Sequence, residues 1–262
     1  MTETTQPFGI DFGGSGIKGA PVDLHKGDFA AERIRIETPE GGKPDAVAKV
    51  VAKLVEKGAA PGAPVGITVP AVVTRGTVKS AANIDESWIG TDAVRLFERV
   101  LDRDVVVVND ADAAGLAEVR YGAAKDQDGL VIVTTLGTGI GSAMVYDGVL
   151  VPNSELGHLE LNGKDAEKQA ANSIREKKDL SWKDWAQRLT AYYSMLEFLF
   201  SPELFVVGGG VSKHADKFLP LLDINTRIVP ATLRNTAGIV GAAVLAAEAT
   251  AGHKETSTAT QP

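Results

Sequence analysis

Cysteine is absent from this chain of 262 residues. That excludes disulfides, thiolate chemistry and any cysteine-ligated zinc, and it suits a reducing cytoplasm. Long apolar runs are lacking too. None approaches the ~18–20 residues that a membrane span needs, and the polar start Met1–Gln6 has no signal-peptide core. A cytoplasmic protein without a membrane partner is expected. Positive charge is in deficit: 27 Lys and Arg face 34 Asp and Glu, for a net charge of −7. This balance argues against broad binding to nucleic acid or membrane surfaces. A polyanionic ligand would have to be held in a local basic groove, against the average field. With 44% hydrophobic and 23% charged residues, the composition is that of a globular protein able to build one large or two small cores.

Glycine, by contrast, is placed with purpose. Asp11-Phe12-Gly13-Gly14-Ser15-Gly16-Ile17-Lys18-Gly19-Ala20 returns as Leu136-Gly137-Thr138-Gly139-Ile140-Gly141-Ser142-Ala143, allowing a one-residue gap at Gly14. An apolar strand enters each turn and another leaves it. Glycines permit positive φ and let backbone N–H groups approach an anion. Hydroxyls of Ser15 and Thr138 add donors, and Lys18 adds charge. Two such turns facing each other would clamp a chain of phosphates; singly, each reads equally as an ordinary Gly-rich hairpin.

The pattern between the turns is mixed α/β. A third strand is expected around Phe29–Ile36. A helix from Pro44 carries Val47, Val50, Val51, Leu54 and Val55 on one stripe, with Gly58 as its C-terminal cap. Arg75-Gly76 and Asp147-Gly148 mark hairpin tips. Val105–Val108 reads as a strand buried on both faces, and Leu204–Val207 as another buried strand. Helices are expected near 92–101, after Asp110, at 165–176, 182–200 and 238–248. The polar residues 250–262 and the first six are expected to be disordered.

Asn109-Asp110 follows the valine run directly, where ligands of open α/β sheets bind. Asp110 could be a general base or a helix N-cap, and position alone leaves the two even. Asn109 could hydrogen-bond a hydroxylated substrate, and Asp112 suits the helix dipole. Glu155-Leu156-Gly157-His158 reads as a polar substrate pocket or a surface loop. Ala81–Trp88, including Asn83, has the small, amide, acidic and aromatic mixture of sugar sites and of ordinary turns. Gly208-Gly209-Gly210-Val211-Ser212 could admit a nucleotide base or ribose, or be a plain strand–helix turn.

In this order, the motifs resemble the ROK family of sugar kinases, within the actin/hexokinase-like superfamily, over residues 7–247. Ser87-Trp88-Ile89-Gly90-Thr91 and Lys177-Lys178-Asp179-Leu180-Ser181-Trp182 with Trp185 resemble the polyphosphate-dependent glucokinases of actinobacteria, a group that includes polyphosphate/ATP glucomannokinase. The resemblance implies a two-lobed, ribonuclease H-like α/β fold of duplicated mixed sheets flanked by helices, with an interlobe cleft. It divides the chain into a small lobe, 7–110 with a C-terminal helix at about 236–249, and a large lobe, 111–235.

It further implies phosphoryl transfer from inorganic polyphosphate or ATP to the 6-hydroxyl of glucose, with mannose a further acceptor and an ATP-only hexokinase the alternative. Asp110 would be the base. Asn83, Asn109, Asp110, Glu155, His158 and Glu167 would bind the sugar. Gly13, Gly14, Ser15, Gly16, Lys18, Gly137, Thr138 and Gly139 would bind phosphate. Gly208, Gly209, Gly210, Ser212, Lys177 and Lys178 would meet the nucleotide or polyphosphate, and Asp11 would hold Mg²⁺ through water. Homodimers are usual for the family. Two departures stand out. Most ROK kinases follow Glu-x-Gly-His with a cysteine-rich zinc element; here a short insert, Leu159–Asp165, leads to Glu167, and no zinc is expected. Val69-Pro70-Ala71 stands where many relatives have Pro-Gly. The family's sugar-sensing repressors carry an N-terminal helix-turn-helix; with six residues before the first strand and an acidic net charge, a regulator is not expected here.

Overall fold

The structure, a computed structural model, describes residues 5–82 and 84–258, with side chains through 251. It contains two compact units, one made by residues up to Ala117 together with those from Thr236 onward, the other by Glu118–Asn235. In chain order, the first contains β1 (Phe8–Gly13), β2 (Gly16–Asp23), β3 (Asp28–Phe29), β4 (Ile34–Ile36), α1 (Pro44–Gly58), β5 (Val65–Val69), the small hairpin β6 (Val73–Thr74) and β7 (Thr77–Val78), α2 (Ala93–Leu101) and β8 (Val105–Asn109). α3 (Asp110–Tyr121) begins in this unit and ends in the second. The second continues with β9 (Leu130–Leu136), β10 (Ile140–Tyr146), β11 (Val149–Val151), β12 (Glu160–Leu161), β13 (Lys164–Asp165), α4 (Glu167–Ala170), α5 (Asn172–Lys177), α6 (Trp182–Phe200), β14 (Leu204–Gly208) and β15 (Ile228–Pro230). α7 (Ala237–Thr258) returns to the first unit.

The first unit is built on a six-stranded sheet of order β3-β2-β1-β5-β8, with β4 also paired to β2. β1, β5 and β8 are parallel, so Asp11, Thr68 and Asn109 all lie near one carboxyl edge. α1 buries the five apolar residues of its expected stripe, which pack with Phe8, Ile10, Trp88 and Phe97 in the core. Gly58 is not a left-handed cap. A Cβ there would lie 2.8 Å from both Ile34 Cδ1 and Phe8 Cε2, so close packing is what demands glycine. The strand expected over Phe29–Ile36 is two short ones, because Val22↔Phe29 and Ile17↔Ile36 belong to registers offset by two residues. Val105–Val107 are only half-buried, since β8 is the sheet's edge strand.

α7 seats its backbone directly on this sheet. A Cβ on Gly9 would lie 1.9 Å from the carbonyl oxygen of Ile239, and one on Gly66 1.9 Å from that of Ala242. Gly9 and Gly66 are register partners on β1 and β5. The helix continues to Thr258, beyond the point where composition predicts disorder.

The second unit repeats the theme in five strands, β11-β10-β9-β14-β15, again with a Gly-turn hairpin whose first strand pairs in parallel with a later one. Its core gathers Trp185, Leu189, Tyr192, Tyr193 and Leu196 of α6 against Phe205 and Phe218. Ser181 caps α6, accepting from the Asp184 N–H at 3.1 Å. Glu118, only 1% exposed, accepts N–H bonds from Ala123, Thr232 and Leu233 at 2.8, 3.1 and 2.7 Å. No helix among the described residues is long and apolar enough to cross a membrane.

Candidate active site

Gly14 and Ser15 form the two-residue tip between β1 and β2, closed by the pair Gly13↔Gly16. None of the glycines at this tip uses the positive φ that glycine permits. Their use is spatial. No atom lies within 4 Å of a Cβ built on Gly14, whereas one on Gly16 would meet the Arg35 guanidinium at 2.6 Å. The tip's carbonyls are held from one side: Thr38 Oγ1 donates to Gly13 O at 2.6 Å and Arg35 to Ser15 O at 2.8 Å. Among the described residues, no acceptor meets the N–H of Gly14 or Ser15. The tip is thus polarised, with donors left for an anion.

Asp11, four residues before Ser15, accepts from Lys18 Nζ at 3.4 Å and from Thr68 Oγ1 at 3.3 Å. Gly238, in the first turn of α7, keeps its space clear: a Cβ there would be 3.2 Å from the carboxylate. Lys18 is therefore paired with Asp11.

At the end of β8 the sequence left two roles for Asp110, and the structure gives the cap to Asn109. The Asn109 Oδ1 accepts from the N–H of Ala111 at 2.8 Å and of Asp112 at 3.1 Å, while its Nδ2 donates to Ala71 O at 3.1 Å. Asn109 is 7% exposed, so its oxygen is committed to the helix rather than presented to a ligand. Asp110 is half-buried at the head of α3, with its Oδ1 also accepting from the Ala111 N–H at 2.9 Å. Ala71 is buried in the core, which packs away the methyl that distinguishes it from glycine. Trp88 also faces the core, its ring tilted against those of Phe12 and Phe97, its indole N–H donating to Gly42 O at 2.8 Å. Asn83 lies outside the described residues.

In the second unit Gly137-Thr138-Gly139 turns from β9 into β10. Ser173, in α5, clasps the carbonyls of this turn: its N–H donates to Gly137 O at 3.0 Å and its Oγ to Thr138 O at 2.6 Å. The duplication therefore extends to carbonyl clasps that no sequence motif advertised. Glu167, at the start of α4, lies over Gly139, where a Cβ would be 2.4 Å from its Oε2. The same oxygen accepts from the Ile140 N–H at 3.3 Å. Gly157 packs on the Ile140 carbonyl, with room for no Cβ. That close approach sets Glu155 and His158 beside the turn.

His158 faces three carboxylates, Glu155 at 3.8 Å, Asp165 at 3.7 Å and Glu167 at 3.9 Å. Burial pushes the Glu155 carboxyl up; His158 lowers it and Glu167 adds to the rise. Asp165 is held down chiefly by its hydrogen bond from Lys168 at 2.7 Å. His158, Asp165 and Glu167 offer one donor atom each within 4.8 Å of one another, a set able to hold a divalent ion. Gly208, beside Thr135 in register, ends β14, so the triple-glycine loop leaves next to the β9 turn. Gly209 has φ 81° and Gly210 open space around its would-be Cβ, while Ser212 is buried.

Residues 7–173 match the ROK family. The chain belongs to the ROK family. It is 52% identical over 238 residues to the polyphosphate glucokinase of Mycobacterium tuberculosis, covering 90% of this chain and 89% of that one. The inorganic polyphosphate/ATP-glucomannokinase of Arthrobacter sp. strain KM matches in structure with a TM-score of 0.88 at 54% identity, covering 93% of this chain and 99% of that one. A ROK family glucokinase from Streptomyces griseus, in complex with glucose and AMPPNP, shares the fold at 24% identity and a TM-score of 0.79, covering 93% of this chain and 99% of that one.

Within this ROK chain, several residues at the motifs escaped the sequence reading. Arg35, Thr38 and Ser173 shape the two turns, yet none belongs to a glycine motif. Near Lys177 and Lys178, which are exposed, Arg175 lies 4.2 Å above the Trp182 ring and Lys217 is 5.8 Å from it. Only a packed ring could reveal which cations are fixed in place.

Proposed function

We infer that the protein transfers a phosphoryl group from inorganic polyphosphate to the 6-hydroxyl of glucose, with ATP as a second donor and mannose as a second acceptor. The relatives named above support the donor and acceptor classes. The observation that carries the chemistry is the placement of Asp110: it stands half-buried at the head of α3, directly after β8, and serves as the base. The 6-hydroxyl oxygen attacks the terminal phosphorus, its proton passes to a carboxylate oxygen of Asp110, and the terminal P–O–P bond breaks. The products are hexose 6-phosphate and a donor shortened by one phosphate.

The transition state is loose, so positioning and fixed dipoles dominate. The acceptor-less N–H groups of the first tip, the corresponding turn at Gly137–Gly139 and Lys18 meet the charged oxygens. Glu155, His158 and Glu167 fix sugar hydroxyls, with Asn83 an outer candidate. Gly208–Ser212 takes the base of ATP. Kinases of this class use a divalent metal, here Mg²⁺, which supplies charge neutralisation at the donor phosphates when bound. Asp11 fits a water-mediated hold: it is partly exposed and already paired with Lys18 and Thr68. We leave zinc out, assigning the carboxylates around His158 to the sugar, and elemental analysis of the purified protein is expected to find no stoichiometric zinc.

Asp110→Asn tests the base. It preserves shape, so glucose affinity and melting temperature are expected to stay close to wild type while kcat falls by at least ~100-fold. Wild-type turnover in a folded variant would remove Asp110 from the mechanism.

A further inference from the structure

The first Gly-rich tip has a cation that no glycine motif contains. Arg35 lies on β4 directly opposite Lys18 of β2. Directly opposed residues of antiparallel strands share a face, and like charges so placed repel. Lys18 is partly offset by Asp11 at 3.4 Å. Arg35 has no carboxylate partner among the described residues; its recorded bond is one N–H donated to Ser15 O. A guanidinium has five N–H donors in a rigid fork suited to phosphate oxygens, so one backbone bond leaves most of that capacity unused. The side chain is exposed and lies across Gly16, where any Cβ would strike it at 2.6 Å.

We propose that Arg35 is a donor-binding residue: while one N–H holds Ser15 O, the others grip the oxygens of a phosphate seated on the Gly14–Ser15 tip. An anion there would relieve the Lys18–Arg35 repulsion and meet the two backbone N–H groups that lack acceptors. The ligand class is a phosphoanhydride, and the assignment of that anion to the phosphoryl donor rests on the function inferred above. Arg35 thereby gains two linked duties. It polarises the tip by occupying a carbonyl, and it supplies the charge that the chain's net balance withholds.

The experiment pairs kinetics with direct binding. Arg35→Gln keeps a neutral donor for the carbonyl and removes the charge; Arg35→Lys keeps charge and removes the fork. In Arg35→Gln, KM for polyphosphate and the calorimetric Kd for tripolyphosphate with Mg²⁺ are expected to rise roughly 10-fold or more. KM for glucose should stay within about twofold, and the salt dependence of donor binding should flatten. Arg35→Lys should fall between Gln and wild type. Unchanged donor KM and tripolyphosphate Kd in Arg35→Gln, or equal rises for donor and glucose, would overturn the assignment. Absence of turnover by wild type with either donor would defeat the inferred function instead. The calorimetry still judges Arg35, and failure of wild type to bind tripolyphosphate would overturn that proposal too.

Discussion

Glu155 is where burial and ionisation pull in opposite directions. Its carboxyl is raised above the ordinary range chiefly by burial, so the folded state holds that proton more tightly than the unfolded chain. The stabilisation this brings is complete below the unfolded pKa and is lost as pH rises through the folded value. At neutral pH the ionised Glu155 therefore weakens the fold. Glu155→Gln is expected to melt higher than wild type at pH 7, with the gap closing toward pH 4, while KM for glucose rises. Melting curves across that interval check it; a gap that is constant with pH would mean that Glu155 ionisation does not bear on stability. Asn109 and Asp110 teach a related lesson at this scale. Both are good capping residues, and only hydrogen-bond geometry shows that the first takes the cap, through the N–H groups of Ala111 and Asp112.

Among the elements, α7 is the one whose place depends most on residues that look inert. Its backbone approaches β1 and β5 at Gly9 and Gly66, and α3 at Gly241, where a Cβ would lie 1.8 Å from Ala113 O. Each obstruction is a backbone carbonyl, which cannot swing aside as a side chain can. Gly66→Ala should therefore cost more than the ~0.5–1 kcal/mol that alanine otherwise gains over glycine. Overpacking of this kind typically destabilises by about 1–3 kcal/mol, and occasionally more. Chemical denaturation is expected to show that loss with an unchanged m-value, whereas Gly62→Ala, with no atom within 4 Å of its Cβ but φ +71°, would register backbone strain alone. Equal costs at the two positions would show that the α7 contact tolerates a methyl.

Across the whole molecule the governing fact is the net charge of −7. A long polyanion meets this field along its length, whereas ATP occupies a shorter path. Exposed charges are screened over ~10 Å at 0.1 M salt, so cations remote from the glycine turns matter only for the longer donor. Raising salt is expected to increase KM for long-chain polyphosphate more steeply than KM for ATP. Reversing Lys177 and Lys178 to glutamate should widen that difference and leave KM for glucose alone. Equal salt slopes in wild type, with neither donor affected by the double reversal, would show these lysines to be solvated surface charge.

The chain's order of motifs was enough to name a family, because a glycine turn, an Asn-Asp pair and a Glu-x-Gly-His each impose local chemistry that survives in the residues themselves. The stripe of α1 and the hairpin tips were equally legible, since they depend on neighbours a few positions apart. What lay beyond reach depended on partners far along the chain. Val105–Val107 looked doubly buried until the sheet order put β8 at an edge. Gly58 looked like a cap until Phe8 and Ile34 closed around it, and the segment ending at Trp88 read equally as sugar site or turn until that ring met Phe12 and Phe97. Arg35, Thr38 and Ser173 carry no signature, yet they hold the carbonyls of the two turns. Local sequence determines which backbone shapes and chemical groups are available; tertiary packing alone decides which of those groups are already occupied, and so which remain to act on a ligand.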